Sequence, residues 1–172
     1  MDNPMRSIRI EKVTLNIGAG KDPKVLEKGL KVLKSVTGIA PVKIVTQKRI
    51  PTWGLRPGLP IGCKVTIRGK AGETLLRRLL DARSFTLTES QFDDHGNVSF
   101  GIPEYIDIPG VKYDPDIGIM GLQVCITLER PGFRVKRRRV RRAPIAARHM
   151  IRKQDAMGFL QQSFDVKIGE SG

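Results

Sequence analysis

Aromatic residues make up only 5% of this 172-residue chain, and cysteine occurs twice, as Cys63 and Cys125. Both thiols sit inside apolar strings, IGCKVTI and LQVCITL, where a cysteine behaves as a small hydrophobe, so both are expected in the core. There is no Cys-x-x-Cys, and His95 and His149 stand alone, which leaves no zinc-ligand spacing; no metal and no cofactor are expected. Uninterrupted apolar runs fall short of the roughly 18 residues that a membrane span needs, so a membrane partner is not expected. The opening MDNPMRSIRI lacks the apolar block and small-residue cleavage site of a secretory signal, which predicts a cytoplasmic chain.

Acid is scarce too. Seventeen Asp and Glu stand against 31 Lys and Arg, for a formal net charge of +14. Residues 28–72 hold no carboxylate but contain Lys28, Lys31, Lys34, Lys43, Lys48, Arg49, Arg56, Lys64, Arg68 and Lys70. Residues 130–154 are also acid-free and include RVKRRRVRR, a run too self-repulsive to fold compactly without counter-charge, so it is expected to order on a partner. Seven acids gather between Glu89 and Asp116, giving the molecule a positive side and a more acidic end. Ordinary soluble surfaces mix both signs, and two long single-sign fields point to a polyanion. Nucleic acid fits better than an anionic membrane, because no long helix sets a large apolar face beside a basic one.

The periodicity predicts an α+β fold. IRIEKVTLNI, residues 8–17, alternates as a half-buried strand, and the slip between Ile10 and Val13 suggests a bulge or a late start. A helix follows, capped by Asp22, opened by Pro23 and stopped by Gly38. Strands at 42–46 and 63–68 flank QKRIPTWGLRPGLPIG, whose three prolines and three glycines rule out regular structure and predict a long exposed hairpin loop. ETLLRRLLDA, 73–82, is an amphipathic helix with Arg77 and Arg78 opposite its leucine stripe. Strands at 97–102 and 122–128, and a short helix at 153–164, complete the series. The succession implies an antiparallel or mixed sheet with helices packed on one face and the other face free. An RNA-binding domain is expected over 1–132 and a basic C-terminal extension with a short helix over 133–172. Paired aromatics of the kind that stack bases in an RRM are missing from the central strands, so recognition should lean on phosphate, ribose and helix shape.

IGAGKD sits between a strand and a helix, but it is not a P-loop: Leu15 stands where the first glycine belongs and Asp22 replaces the hydroxyl. An RNA phosphate near residues 16–21 suits it better than a nucleotide. No Ser-His-Asp or Cys-His set has a local signature, and Asp-Asp-His-Gly-Asn around His95 reads as turn chemistry, so no enzyme is expected. Trp53 is either a stacking contact or the apolar anchor of its own loop. The rival classes are a nucleic-acid enzyme, which would turn over RNA or NTP, and a DNA-binding protein, which would prefer duplex DNA to folded RNA.

Several long strings in fixed order then carry a family resemblance. VTLNIGAG (13–20), Thr37-Gly38, KRIPTWGLRPGLPIGCKVTIRG (48–69), FDDHGNVSFGIPEYI (92–106) and DIGIMGLQVCITLERPG (116–132) closely resemble the ribosomal large-subunit protein five family. NPMRSIRI and ARHMIRKQDAMGFLQQSFD resemble its archaeal and eukaryotic branch. The resemblance implies a structural protein of the central protuberance that binds 5S rRNA and large-subunit rRNA. It also implies neighbouring protuberance proteins as partners, P-site tRNA near the hairpin loop, and a bridge to a small-subunit head protein. By residue, Asn16 and Thr66 carry over as 5S rRNA contacts, to which Gly18, Lys21, Lys64 and Arg68 are added from backbone and charge. The tRNA-facing loop would present Trp53, Gly54, Leu55, Arg56, Pro57 and Gly58. The rRNA-binding tail would present Arg134, Lys136, Arg137, Arg138, Arg139, Arg141 and Arg142. Ile39 departs from the Gln that relatives usually carry after Thr-Gly, which removes an amide contact there.

Overall fold

A computed structural model describes residues 3–169; the two residues before and the three after, which close the expected domain and extension, lie outside the described residues. Ten residues, Arg9–Gly18, form β1, and buried Val13, Leu15 and Ile17 alternate with half-buried Thr14 and Asn16. The slip at its start is a bulge: β1 changes register against its neighbour between Ile10 and Lys12. Helix α1, Pro23–Thr37, begins where the Asp22 side chain accepts from Lys24 N at 2.9 Å and ends at left-handed Gly38, φ 71°. Both limits follow from local chemistry, a capping carboxylate and a residue free of Cβ strain.

Strand β2 is Val42–Val45, β3 is Pro60–Ile67, and α2 is Gly69–Asp81. They are followed by β4 (Thr86–Thr88), β5 (Val98–Ile102), β6 (Leu122–Glu129), α3 (Lys153–Phe164) and β7 (Lys167–Gly169). One sheet runs β2-β3-β1-β6-β5, antiparallel throughout. The short pair β4-β7 is parallel and was not expected from periodicity, because three residues are too few to show alternation. Ser84 and Phe85, both at positive φ, turn the chain sharply out of α2 into β4.

Both long helices cover one face of the sheet. A Cβ built on Gly29 of α1 would stand 3.1 Å from Cys63 Sγ, and one on Gly72 of α2 would stand 3.3 Å from Ile67 O, so both helices ride close on β1 and β3. Between helices and sheet lie Val13, Leu15, Ile17, Val65, Leu76, Leu79, Val124 and Ile126, all buried. The same core takes in Phe133, Ile151, Ala156, Leu160 and Phe164 from the expected extension.

One cysteine departs from expectation. Cys63 is fully buried beneath α1, but Cys125 is only partly buried and faces away from the helices. In LQVCITL the inward positions are Leu122, Val124 and Ile126, so strand alternation turns Cys125 outward. Burial raises both thiol pKa values above their ordinary range.

Candidate nucleic-acid interface

Paired residues in an antiparallel sheet share a face, so the register lays out what the uncovered side presents. One row crosses Val42, Lys64, Asn16, Gln123 and Gly101, and the next crosses Thr66, Thr14, Cys125 and Ser99. Lys12 and Thr127 begin a third row. Apart from Val42 at its edge and Cys125 the rows of this platform are polar, and none of their residues is aromatic, which suits phosphate and ribose hydroxyls better than stacked bases. Asn16 and Thr66 stand on it, with exposed Lys64 directly across from Asn16. Thr14 Oγ1 and Thr66 Oγ1 are 3.5 Å apart. Arg68, with extended backbone one residue beyond β3, continues the outward series that Lys64 and Thr66 begin. Sequence reasoning missed Lys12, Thr14, Ser99 and Gln123; alternation marks each as outward, but only the pairing shows that they share one surface.

At the far end of this platform Gly18 pairs with Gly62, and the glycine turn leads to Lys21. The side chain of Lys21 runs along the loop between β2 and β3: a Cβ on Gly54 would lie 3.8 Å from Lys21 Cδ. The loop is not featureless. Ile50 and Leu55 exchange backbone hydrogen bonds of 3.1 and 3.0 Å around a 3-10 turn, Pro51–Trp53, and Gly54 takes a left-handed φ of 67°. Gly58 N donates to Thr46 O at 2.8 Å, closing the base. Arg56, Pro57 and Gly58 are exposed and Leu55 is half-buried. Trp53 is 68% exposed, which rules out its role as the loop's own anchor and leaves the indole free for a partner. Ile39 is 46% exposed and apolar, so the surface there offers no amide.

The tail lies at the opposite end of β1, about 23 Å away for seven residues of strand. A 3-10 turn, Phe133–Lys136, carries Arg134 and Lys136, with Lys136 Nζ 4.8 Å over the Phe133 ring. Arg138, Arg139, Arg141 and Arg142 are exposed, with Arg138 Nε donating to Arg141 O at 2.8 Å. Arg137 differs from them: it pairs with both Glu11 and Glu129. The counter-charge that the tail lacks in sequence is therefore supplied in part by β1 and β6. Arg130 is buried and donates to Met150 O at 3.1 Å and to Asp155 Oδ2 at 3.1 Å, fixing the chain that leads into α3.

Among the described residues, all five ion pairs involve Arg9, Arg130, Arg137 or Lys153. None involves a basic residue of the loop or of β3, so Lys64, Arg56 and Arg68 keep their charge available. His95 is exposed in a turn that Asp93 builds by accepting from His95 N and Asn97 N at 2.9 and 2.6 Å, as its local sequence suggests. No group of three or more His, Cys, Asp or Glu side chains able to hold a metal ion occurs among the described residues.

Known proteins resemble this chain along nearly its whole length. Residues 3–56 match the family model for ribosomal protein L5, and residues 60–143 match the model for the C-terminus of the same ribosomal family. The large ribosomal subunit protein uL5 of Nanoarchaeum equitans is 50% identical over 98% of this chain and 99% of its own length. The uL5 proteins of Sulfurisphaera tokodaii and Methanococcus vannielii are 50% and 44% identical over 98% and 96% of this chain, and over 96% and 93% of their own lengths. These matches identify the chain as a member of the ribosomal protein L5 family, structural ribosomal proteins rather than enzymes.

Proposed function

We propose that this protein is a structural constituent of the large subunit of cytoplasmic ribosomes, where its open sheet face binds 5S rRNA. Asn16, Gly18, Lys21, Lys64, Thr66 and Arg68 form the 5S contact, joined by Lys12, Thr14 and Gln123. Lysine and arginine neutralise phosphate, while the threonines, Asn16 and Gln123 offer hydrogen bonds to ribose and phosphate oxygens. The exposed tail arginines bind large-subunit rRNA. The loop at 50–60 reaches P-site tRNA, with Arg56 on phosphate and Trp53 free to stack. Neighbouring proteins of the central protuberance and a small-subunit head protein complete the partners. In this reading residues 1–132 bind RNA and residues 133–172 extend that surface.

The observation that carries the proposal is electrostatic: an open, mostly polar face on which, among the described residues, no lysine is tied up by a carboxylate. The test is binding of 5S rRNA, against unrelated RNA of equal length, across a salt series. Selective binding is expected, with log affinity falling by about 0.7 to 0.9 per tenfold rise in salt for each phosphate contact. Salt-independent binding with no preference for 5S rRNA would overturn it.

A further inference from the structure

Two carboxylates do stand on the open face, at its tail end. Ile10 and Val13 both point into the core, so across the bulge Glu11 and Lys12 project outward together. Glu129 pairs with Arg9, one position beyond the inward pair Ile10 and Leu128, and projects the same way. Left bare, these acids would repel RNA from the rim of the platform. They are not bare: each side chain is only 10% exposed. Arg9 reaches Glu129 Oε1 through Nε at 2.9 Å and Nη2 at 2.7 Å, while Arg137 holds the other oxygen of Glu129 and, through Nη1, Glu11. The formal charges of Arg9, Arg137, Glu11 and Glu129 cancel.

We propose that Arg137 is a positioning residue, a charge clamp rather than a phosphate ligand. It silences Glu11 and Glu129 at the edge of the RNA-binding face and holds the free arginines Arg138, Arg139, Arg141 and Arg142 beside that face. The inference rests on the RNA-binding reading above. A planar guanidinium is the group for this task, since its N–H edges satisfy two carboxylates at once, which a lysine point charge cannot reproduce. Partial burial shields the cluster from salt, so an uncompensated acid left there would act on RNA at short range.

The test compares 5S rRNA affinity and its salt slope for wild type, Arg137→Gln, Lys64→Gln and the double variant Arg137→Gln/Glu11→Gln. In the double variant Arg9 and Glu129 still cancel. Arg137→Gln should weaken binding about tenfold through like-charge repulsion. Lys64→Gln, which removes one phosphate contact of the open face, should weaken it less and lower the slope by about 0.7 to 0.9. The double variant should return to within about twofold of wild type, with the wild-type slope. A double variant as weak as Arg137→Gln, its slope lowered by one contact, would make Arg137 a phosphate ligand and overturn the clamp. A second measurement needs no RNA and keeps Arg137 intact: trypsin should cut at Arg138 to Arg142 several-fold faster in Glu11→Gln/Glu129→Gln than in wild type. Equal rates would overturn the tether. Wild-type protein that failed to prefer 5S rRNA would sink the RNA reading instead, and the protease comparison would still decide whether Arg137 tethers the tail.

Discussion

The two acid-free stretches, residues 28–72 and 130–154, look alike in sequence but reach opposite electrostatic states in the fold. Lysines and arginines of the first make no ion pair among the described residues, whereas Arg130, Arg137 and Lys153 of the second take part in four of the five. The difference comes from topology. Strands β1 and β6 bring Glu11 and Glu129 to the tail, and α3 brings Asp155 to Arg130. Among the described residues no carboxylate pairs with a basic residue of β3 or the loop. Free cations mark where a polyanion can bind; paired cations hold the architecture that presents them.

The comparison breaks most visibly at Arg130. Arg130→Ala removes the donors to Met150 O and Asp155 from a buried site, and stability should drop by about 2 to 3 kcal/mol, discounted because Asp155 is partly exposed. A denaturant melt reads this; a loss under about 0.5 kcal/mol would put Arg130 among ordinary surface residues. Lys64→Gln should do the converse, leaving the melt unchanged within about 0.5 kcal/mol while weakening 5S rRNA binding and lowering its salt slope by about 0.7 to 0.9. At the loop, Arg56→Ala should keep 5S rRNA affinity within about twofold and weaken retention of P-site tRNA on assembled ribosomes. Equal loss of both would move Arg56 into the 5S interface. The smallest effect concerns Cys125. Its raised pKa keeps it largely as the slow-reacting thiol at mildly alkaline pH, and bound 5S rRNA should slow alkylation further, while buried Cys63 reacts only on unfolding.

Much of this was legible where the signal is local. Asp22, Pro23 and Gly38 delimit α1 because a cap, a fixed φ and a left-handed stop each act within a few residues. The slip in IRIEKVTLNI marks the bulge for the same reason. Cys125 was misplaced by reasoning from residue type, although its alternating neighbours Val124 and Ile126 turn it outward. The parallel β4-β7 pair was hidden, since each strand is three residues long and its partner lies far along the chain. The platform itself was half legible: Asn16, Lys64 and Thr66 stand out by motif and charge, but Gln123 and Ser99 join them only through register. The pairing of Arg137 with Glu11 could not be read at all, because the two are 126 positions apart.

Lysine modification followed by mass spectrometry, with and without 5S rRNA, measures most directly whether the uncovered sheet face is the RNA contact. Lys12 and Lys64 should become protected, while Lys153, paired with Glu89, and Lys167 on β7 keep the rates of the free protein. Protection of Lys153 and Lys167 with Lys64 still reactive would place the RNA elsewhere and contradict the account.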